Sequence, residues 1–378
     1  MKRKNKRIKL IYYLPNQHTF GGTESFIFNL LKHLNKEQFQ PIILSQARIK
    51  MLAIFQSINI PIKILNPQSK HGMKRLINFI KENKISLAQT NHFSTELAKA
   101  SYVAGIPHIW RPGGDIRLTK SFLDKKRRLD YFKILIALSN KIVCASYFLK
   151  RQFKDINCSE IKVIYNGVEI KKLDSRMPKN NNYAIGMIAH LIPQKKHIDF
   201  IRAAEIVLKE LPQTKFYIIG SPYYSKESIN YARLLKKIVK RKKLRKHIIF
   251  TGFINNPNKV ILSLNATVMP SIDEGSSNAI IESLALGKPV IASRSGGNPE
   301  LIADNINGFL VKPRNYIGLA NSIIKILKNP KRAKTMGLKG RVVAKKLFDI
   351  NKTVKVYQKL YSSTMAGFVS KNQSHTFS

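Results

Sequence analysis

The chain has 378 residues, the length of two ordinary domains, and its 44% hydrophobic and 9% aromatic content excludes disorder as the main state. Lys and Arg total 67 against 21 Asp and Glu, a formal charge of +46 that both halves share, so it is not one basic tail on a neutral domain. Such a field attracts polyanions, whether nucleic acid, anionic lipid headgroups or nucleotide phosphates.

Along the chain, short β-rich runs alternate with longer amphipathic segments. Strands are predicted at 8–14, 41–45, 60–65, 86–90, 107–110, 141–145 and 161–165, with helical patterns such as 24–34 and 74–81 between them. Tyr165-Asn166-Gly167-Val168 and the Asn-rich stretch 171–182 carry no apolar period and read as a linker. A second alternating series follows. Its strands are expected at 183–188, 215–219, 247–251, 266–269, 289–293 and 308–311. Its helices are expected at 197–209, 227–243, 278–286, 317–327 and 331–347. A last helix over 352–363 precedes a polar tail. The pattern predicts an α/β protein of two doubly wound, Rossmann-like parallel-sheet domains facing across a cleft, residues 1–170 and 171–350. Residues 351–378 form a C-terminal helix that packs back on the first domain, and a tail. In such sheets ligands sit at the carboxyl ends of the strands.

The two cysteines, Cys144 and Cys158, cannot build a disulfide framework and read as buried thiols of a reducing compartment. No apolar run reaches the roughly 18 residues of a membrane span. The basic N-terminus leads into 8–14, which is short, contains Lys9 and reads as a strand rather than a secretion signal. The expected location is the cytoplasm, peripheral on the inner face of the membrane. Basic clusters at 2–9, 125–128 and 236–246 could meet an anionic membrane surface or be solvated faces. No aromatic-interleaved motif accompanies them, which disfavours nucleic acid as a partner.

The strongest chemical signal is Met269-Pro270-Ser271-Ile272-Asp273-Glu274-Gly275-Ser276-Ser277-Asn278-Ala279-Ile280-Ile281-Glu282. A strand ends, a Gly/Ser loop follows, and a helix begins near Asn278. Unpaired amides and the positive helix end suit a phosphate. Two carboxylates beside that phosphate make sense where the ligand also carries vicinal hydroxyls, as a nucleotide-sugar does. Earlier, Gly186-Met187-Ile188-Ala189-His190-Leu191-Ile192-Pro193-Gln194-Lys195-Lys196-His197 leaves the first strand of the second half, and its cations could clamp a diphosphate. Gly21-Gly22-Thr23-Glu24 joins the first strand to the first helix, where paired glycines let a ligand approach the amides, although the spacing is not that of a dinucleotide fingerprint. Asn91-His92 and Arg111-Pro112-Gly113-Gly114-Asp115 each follow a strand, and His92 and Asp115 are candidates for acceptor chemistry. There is no D-x-D triplet, H-E-x-x-H, C-x-x-C, Walker lysine or G-x-S-x-G elbow, so neither a metal nor a cofactor is expected.

Residues 251–313 resemble the C-terminal domain of retaining GT-B glycosyltransferases of glycosyltransferase family 4. The matching features are Thr251-Gly252-Phe253, the E-x7-E pair Glu274/Glu282, Ala285-Leu286-Gly287-Lys288-Pro289-Val290, Ser295-Gly296-Gly297-Asn298-Pro299-Glu300 and Asn307-Gly308. The likeness extends more weakly over 8–347. It implies metal-independent transfer of a sugar from a nucleotide-sugar, which is a substrate and not a cofactor, to a glycan or lipid-linked acceptor. Bacterial cell-surface polysaccharide or lipopolysaccharide synthesis is the setting it suggests. By the same likeness Glu274 contacts donor-sugar hydroxyls near the reacting carbon, and Glu282 holds the ribose. Gly275, Ser276, Ser277 and Asn278 bring amides to the donor, and Gly21 and Gly22 face it. Family members usually carry Arg and Lys where this chain has His190 and Lys195, so one of the two diphosphate cations is replaced by an imidazole. The alternative that this departure and the charge favour is a catalytically weakened, glycosyltransferase-like polyanion-binding protein.

Overall fold

A computed structural model describes residues 7–14, 21–49, 51–114, 122–154, 156, 160–170 and 183–374. The linker stretch 171–182, Asp115, Cys158 and most of the basic cluster at 2–9 lie outside them, as do the side chains of the cluster at 125–128. The chain divides into two compact units, one formed by Met1–Gly167 with Ile350–Ser378 and the other by Val168–Asp349.

The first unit runs β1 (Ile8–Leu14), α1 (Gly22–His33), β2 (Phe39–Ser45), α2 (Leu52–Gln56), β3 (Ile62–Ile64), α3 (Gly72–Glu82), β4 (Leu87–Thr90) and α4 (Glu96–Ala104). It continues through β5 (His108–Trp110), α5 (Phe122–Leu138), β6 (Lys141–Cys144), α6 (Tyr147–Lys150) and β7 (Ile161–Val163). Its sheet has the order β3-β2-β1-β4-β5-β6-β7 with parallel neighbours. Burial on both faces explains why β1 reads as a nearly unbroken apolar run rather than an alternating one: Leu10 to Leu14 are all buried. Cys144 is buried at the end of β6.

The second unit runs β8 (Ala184–Ile188), α7 (His197–Glu210), β9 (Lys215–Ile219), α8 (Lys226–Arg241), β10 (Ile248–Gly252), α9 (Asn258–Ser263) and β11 (Ala266–Met269). It continues through α10 (Asn278–Ala285), β12 (Val290–Ser293), α11 (Asn298–Leu301), β13 (Gly308–Val311), α12 (Tyr316–Lys328) and α13 (Pro330–Leu347). The sheet order is β10-β9-β8-β11-β12-β13, again parallel. Side-chain caps start several helices where the sequence offers them. Ser225 accepts from the Ser228 amide, Ser277 from Ile280 and Asn315 from Gly318, while Pro330 opens α13. In the basic cluster at 236–246, Lys236, Lys237, Lys240 and Arg241 are exposed on α8, and Lys242 pairs with Glu205 at 2.7 Å.

The chain then returns to the first unit as α14 (Ile350–Ser374), well beyond the 352–363 expected of it. Polar residues after Ser363 suggested a tail, yet Thr364 is buried with its hydroxyl donating to the Leu360 carbonyl. Val354, Tyr357, Leu360 and Tyr361 join Leu10, Tyr12, Phe26 and Phe39 in one core. The Tyr12 and Tyr361 hydroxyls lie 2.6 Å apart, and Tyr361 donates onward to Gln89 Oε1 at 2.8 Å. Burial raises both phenols far above their ordinary range, so both stay neutral and hydrogen-bonded. Gln89 in turn donates to Asn91 Oδ1 at 2.8 Å, which carries the network from the core to the end of β4.

Candidate active site

Strand order reverses at β1/β4 in the first sheet and at β8/β11 in the second. At such a point the loops leaving the two strands run to opposite faces and open a crevice at the carboxyl edge. Apart from Asp115, which lies outside the described residues, the candidate site residues follow these four strands.

In the second unit, the loop after β11 is tied to its neighbours on both sides. The Ile272 amide donates to Gln194 O, and Gln194 Nε2 donates back to Ile272 O, each at 3.2 Å. On the other side, the Asp273 amide donates to Ser295 Oγ at 3.0 Å, and Gly297 donates to the Glu274 carbonyl at 2.8 Å. Asp273 holds a positive φ of 54°. Gly296 has φ +62°, and a Cβ there would lie 2.3 Å from the Glu274 carbonyl oxygen. Only glycine fits that approach. Gly296→Ala is therefore expected to lower stability by about 2 kcal/mol or more, from the left-handed backbone and the clash. It should also lower transfer, because the clash lands on Glu274. Chemical denaturation and initial rates check both, and unchanged stability would show that the loop yields freely.

Fixed in this way, the Glu274 carboxylate pairs with the Lys195 ammonium. Lys195 ends the short 3-10 turn Pro193–Lys195 after β8. The neighbouring Lys196 takes φ 58°, a left-handed conformation that L side chains adopt at a cost. His190 stacks on Tyr223, with ring centroids 4.4 Å apart, and its Nδ1 lies 3.3 Å from the Ser221 carbonyl. Gly275 is buried, and the Ser276 hydroxyl is buried without a hydrogen-bond partner. Ser277 caps α10, and Asn278 is its first residue. The loop, the cap and the first turn thus present polar groups toward one edge of the sheet.

Glu282 lies one turn along α10. Its accessible surface is that of a half-buried residue, yet protein atoms crowd the carboxyl closely. Hydration of the two oxygens, which this crowding limits, sets the charge. Burial alone pushes the carboxyl from 4.5 up to about 7, with no cation opposing it. The folded state then holds more protons than the unfolded chain between these values. Its contribution to stability is present below about 4.5 and is lost as pH rises through about 7. A carboxylate maintained there against its own desolvation is suited to a ligand that donates two hydroxyls.

In the first unit, Gly21 precedes α1, and its amide donates to Glu24 Oε2 at 3.0 Å. Gly22 opens the helix. Glu24 was noticed from sequence only as part of the glycine loop, yet it is 2% exposed and faces His92, whose Nε2 lies 3.3 Å from Oε1. The two groups are close enough to attract one another, without hydrogen-bond alignment. Burial tends to raise the Glu24 carboxyl, but His92 and the amides of Glu24 and Gly21 outweigh it and hold it below its ordinary value. Thr23 and Gly113 approach the same place: a Cβ on Gly113 would stand 3.0 Å from Asn91 O, 3.4 Å from Thr23 Oγ1 and 3.9 Å from His92 Nδ1. Arg111, buried at 2% exposure, lies over the Phe26 ring at 3.9 Å, donates to Tyr357 at 3.1 Å and also bonds Asn166. It serves the core rather than solvent. Among the described residues no cluster of three or more His, Cys, Asp or Glu stands ready for a metal, and no helix is long and apolar enough to cross a membrane.

Two parallel, doubly wound units with polar sites at their switch points define the GT-B class of glycosyltransferase folds. Solved structures share the fold. Anabaena HepE in complex with UDP-glucose superposes with a TM-score of 0.84 at 20% identity, covering 94% of this chain and 100% of that one. A glycosyltransferase from Rickettsia africae gives 0.79 at 21% identity, covering 95% and 99%. The family model described as Glycosyltransferase Family 4 matches residues 20–172, and that described as Glycosyl transferases group 1 matches 169–343, so the chain belongs to these glycosyltransferases. Among its relatives is the UDP-Gal:alpha-D-GlcNAc-diphosphoundecaprenol alpha-1,3-galactosyltransferase of Escherichia coli, 25% identical over 67% of this chain and 70% of that one. An uncharacterized glycosyltransferase of Methanocaldococcus jannaschii is 23% identical over 94% and 98%.

Proposed function

We propose that the protein moves a sugar from a nucleotide-sugar to a glycan or lipid-linked acceptor, with retention at the anomeric carbon and without a metal, in bacterial cell-surface polysaccharide or lipopolysaccharide synthesis. The observation that carries this reading is the edge of the second sheet, where the Lys195–Glu274 pair and the uncompensated Glu282 flank the start of α10. The bond from the anomeric carbon to the distal phosphate oxygen breaks, and the diphosphate leaves with its electrons. Lys195, the Ser276–Asn278 amides and the positive end of α10 stabilise that charge. Glu274 orients the sugar through its hydroxyls, and the acceptor oxygen enters on the face the phosphate leaves, its proton passing to the departing phosphate oxygen. Neither glutamate forms a bond to the sugar. His92 and Asp115 serve the acceptor side, Gly21 and Gly22 face the donor, and His190 takes a second place beside the diphosphate.

Two comparisons support the choice of ligands: HepE binds UDP-glucose, and the Escherichia coli relative is named for a diphosphoundecaprenol-linked acceptor. A lipid-linked acceptor, together with a charge of +46 that favours anionic lipid, supports a peripheral position on the inner face of a membrane. The deciding experiment is a panel of nucleotide-sugars screened by thermal shift, then transfer to a diphosphopolyprenol-linked sugar with and without a chelator. The anomeric configuration of the product is read by NMR. Inversion or chelator sensitivity would overturn those parts of the reading. Binding without turnover would favour a weakened, polyanion-binding scaffold.

Glu282 makes the ribose assignment testable through pH. Ribose hydroxyls donate to the ionised carboxylate, so the competent fraction grows as pH rises through about 7. Nucleoside diphosphate affinity should improve about tenfold from pH 6 to pH 8 beyond any change in Glu282→Gln, whose amide does not titrate. Calorimetry on both proteins cancels the ionisation of the nucleotide itself. Parallel pH profiles for the two would remove Glu282 from the ribose.

A further inference from the structure

Nothing in the glycine loop of the first unit requires a buried carboxylate for helix capping alone, since Gly21 offers one amide and Glu24 uses only Oε2 to accept it. Oε1 points instead at His92, whose Nε2 is buried and has no aligned partner elsewhere. The His92 backbone is fixed independently, because Trp110 Nε1 donates to its carbonyl at 3.1 Å. An ionised carboxylate only accepts, so the nitrogen beside it carries the proton. The other nitrogen then presents a lone pair. Gly113 keeps the space beside that Nδ1 clear of side chain.

We infer that Glu24 is a positioning residue for His92, and that this carboxylate–imidazole dyad leaves Nδ1 as an acceptor for a hydroxyl of the sugar acceptor. The inference rests on the proposal that His92 serves the acceptor side. It adds the residue that sets the imidazole's tautomer and orientation, as an orienting carboxylate does for other active-site histidines. The bond formed is a hydrogen bond only. Its effect is to orient the attacking oxygen.

Glu24→Gln tests this with the shape retained. The amide keeps its carbonyl on the Gly21 N–H, because the opposite orientation would set two donors face to face. Its NH2 group then faces His92 Nε2, which must become the acceptor. The proton moves to Nδ1, and the nitrogen that faced the hydroxyl turns from acceptor to donor. Imidazole 15N spectra at about pH 8 should show the Nε2–H tautomer in the wild type and the Nδ1–H tautomer in the variant. Turnover should fall about tenfold or more with the KM for donor unchanged, and Glu24→Asp should restore the wild-type tautomer and part of the rate. The same tautomer in wild type and Glu24→Gln would overturn the dyad, and an inverted tautomer with full turnover would overturn its role. The spectra need no substrate, so failure of the dyad and failure of the acceptor-side assignment are seen separately.

Discussion

Glu274→Ala is expected to abolish sugar transfer, by about a thousandfold or more, in a protein that still folds. The carboxylate stands on a loop whose backbone is held by Gln194, Ser295 and Gly297, none of which depends on the Glu274 side chain. Removing that side chain leaves the loop in place and takes away the group proposed to meet the sugar. The partly buried Lys195 loses its ion partner, so a modest fall in stability accompanies the loss of activity. Circular dichroism with a thermal melt establishes folding, and initial rates with saturating donor establish turnover. A folded variant that turns over near the wild-type rate would take Glu274 out of the chemistry. Glu274→Gln separates charge from hydrogen bonding, since the amide can still meet a hydroxyl but no longer balances Lys195.

Lys195→Ala should cost ten- to a hundredfold in kcat/KM, from the roughly 1.5–3 kcal/mol of a charge-assisted hydrogen bond to the leaving diphosphate. The ammonium is held by Glu274, so the side chain is ordered beside the loop. In the proposed reaction the donor meets a cation whose rotamer entropy is lost during folding rather than during binding. Inhibition by nucleoside diphosphate is the sensitive measurement. If the variant is inhibited as well as the wild type, Lys195 does not reach the phosphates. Combining Lys195→Ala with Glu274→Ala adds a second check. The stability costs of the two changes should fall short of additive, because each removes the other's partner.

The alternation of β-branched runs with amphipathic segments made both sheets legible, and each expected strand appears within a few residues of its place. Helices not named in advance include the short ones, Glu96–Ala104 and one with a confusing charge pattern. Leu52–Gln56, Tyr147–Lys150, Asn258–Ser263 and Asn298–Leu301 span too few turns to show a 3.6-residue period. Phe122–Leu138 mixes a run of Lys and Arg into its first half, which masks its apolar stripe. The C-terminal helix was cut short because Ser and Thr weigh against helix locally, and burial of Thr364 against the core overrides that. The E-x7-E pair was readable because loop and helix are contiguous in sequence. The Glu24–His92 contact was not, because it joins residues on different loops that only the strand order β1-β4 brings together. Nor could spacing reveal that Lys195 pairs with Glu274, which follows from the adjacency of β8 and β11.

Because α14 completes a core that β1 begins, the first unit is discontinuous, with the whole of the second unit inserted in it. Synthesis runs from the amino end, so the ribosome must make Val168–Asp349 before it supplies the hydroxyl that meets Tyr12 and Gln89. The contiguous second unit can reach its native packing first. Until α14 emerges, the first sheet waits with Tyr12, Phe26 and Phe39 lacking the aromatic partners they pack against in the finished protein. A nascent chain in that condition exposes apolar surface of the kind that chaperones hold and aggregates recruit. This helix thus acts as a latch on biogenesis: the amino-terminal unit closes only on chains translated through Tyr361.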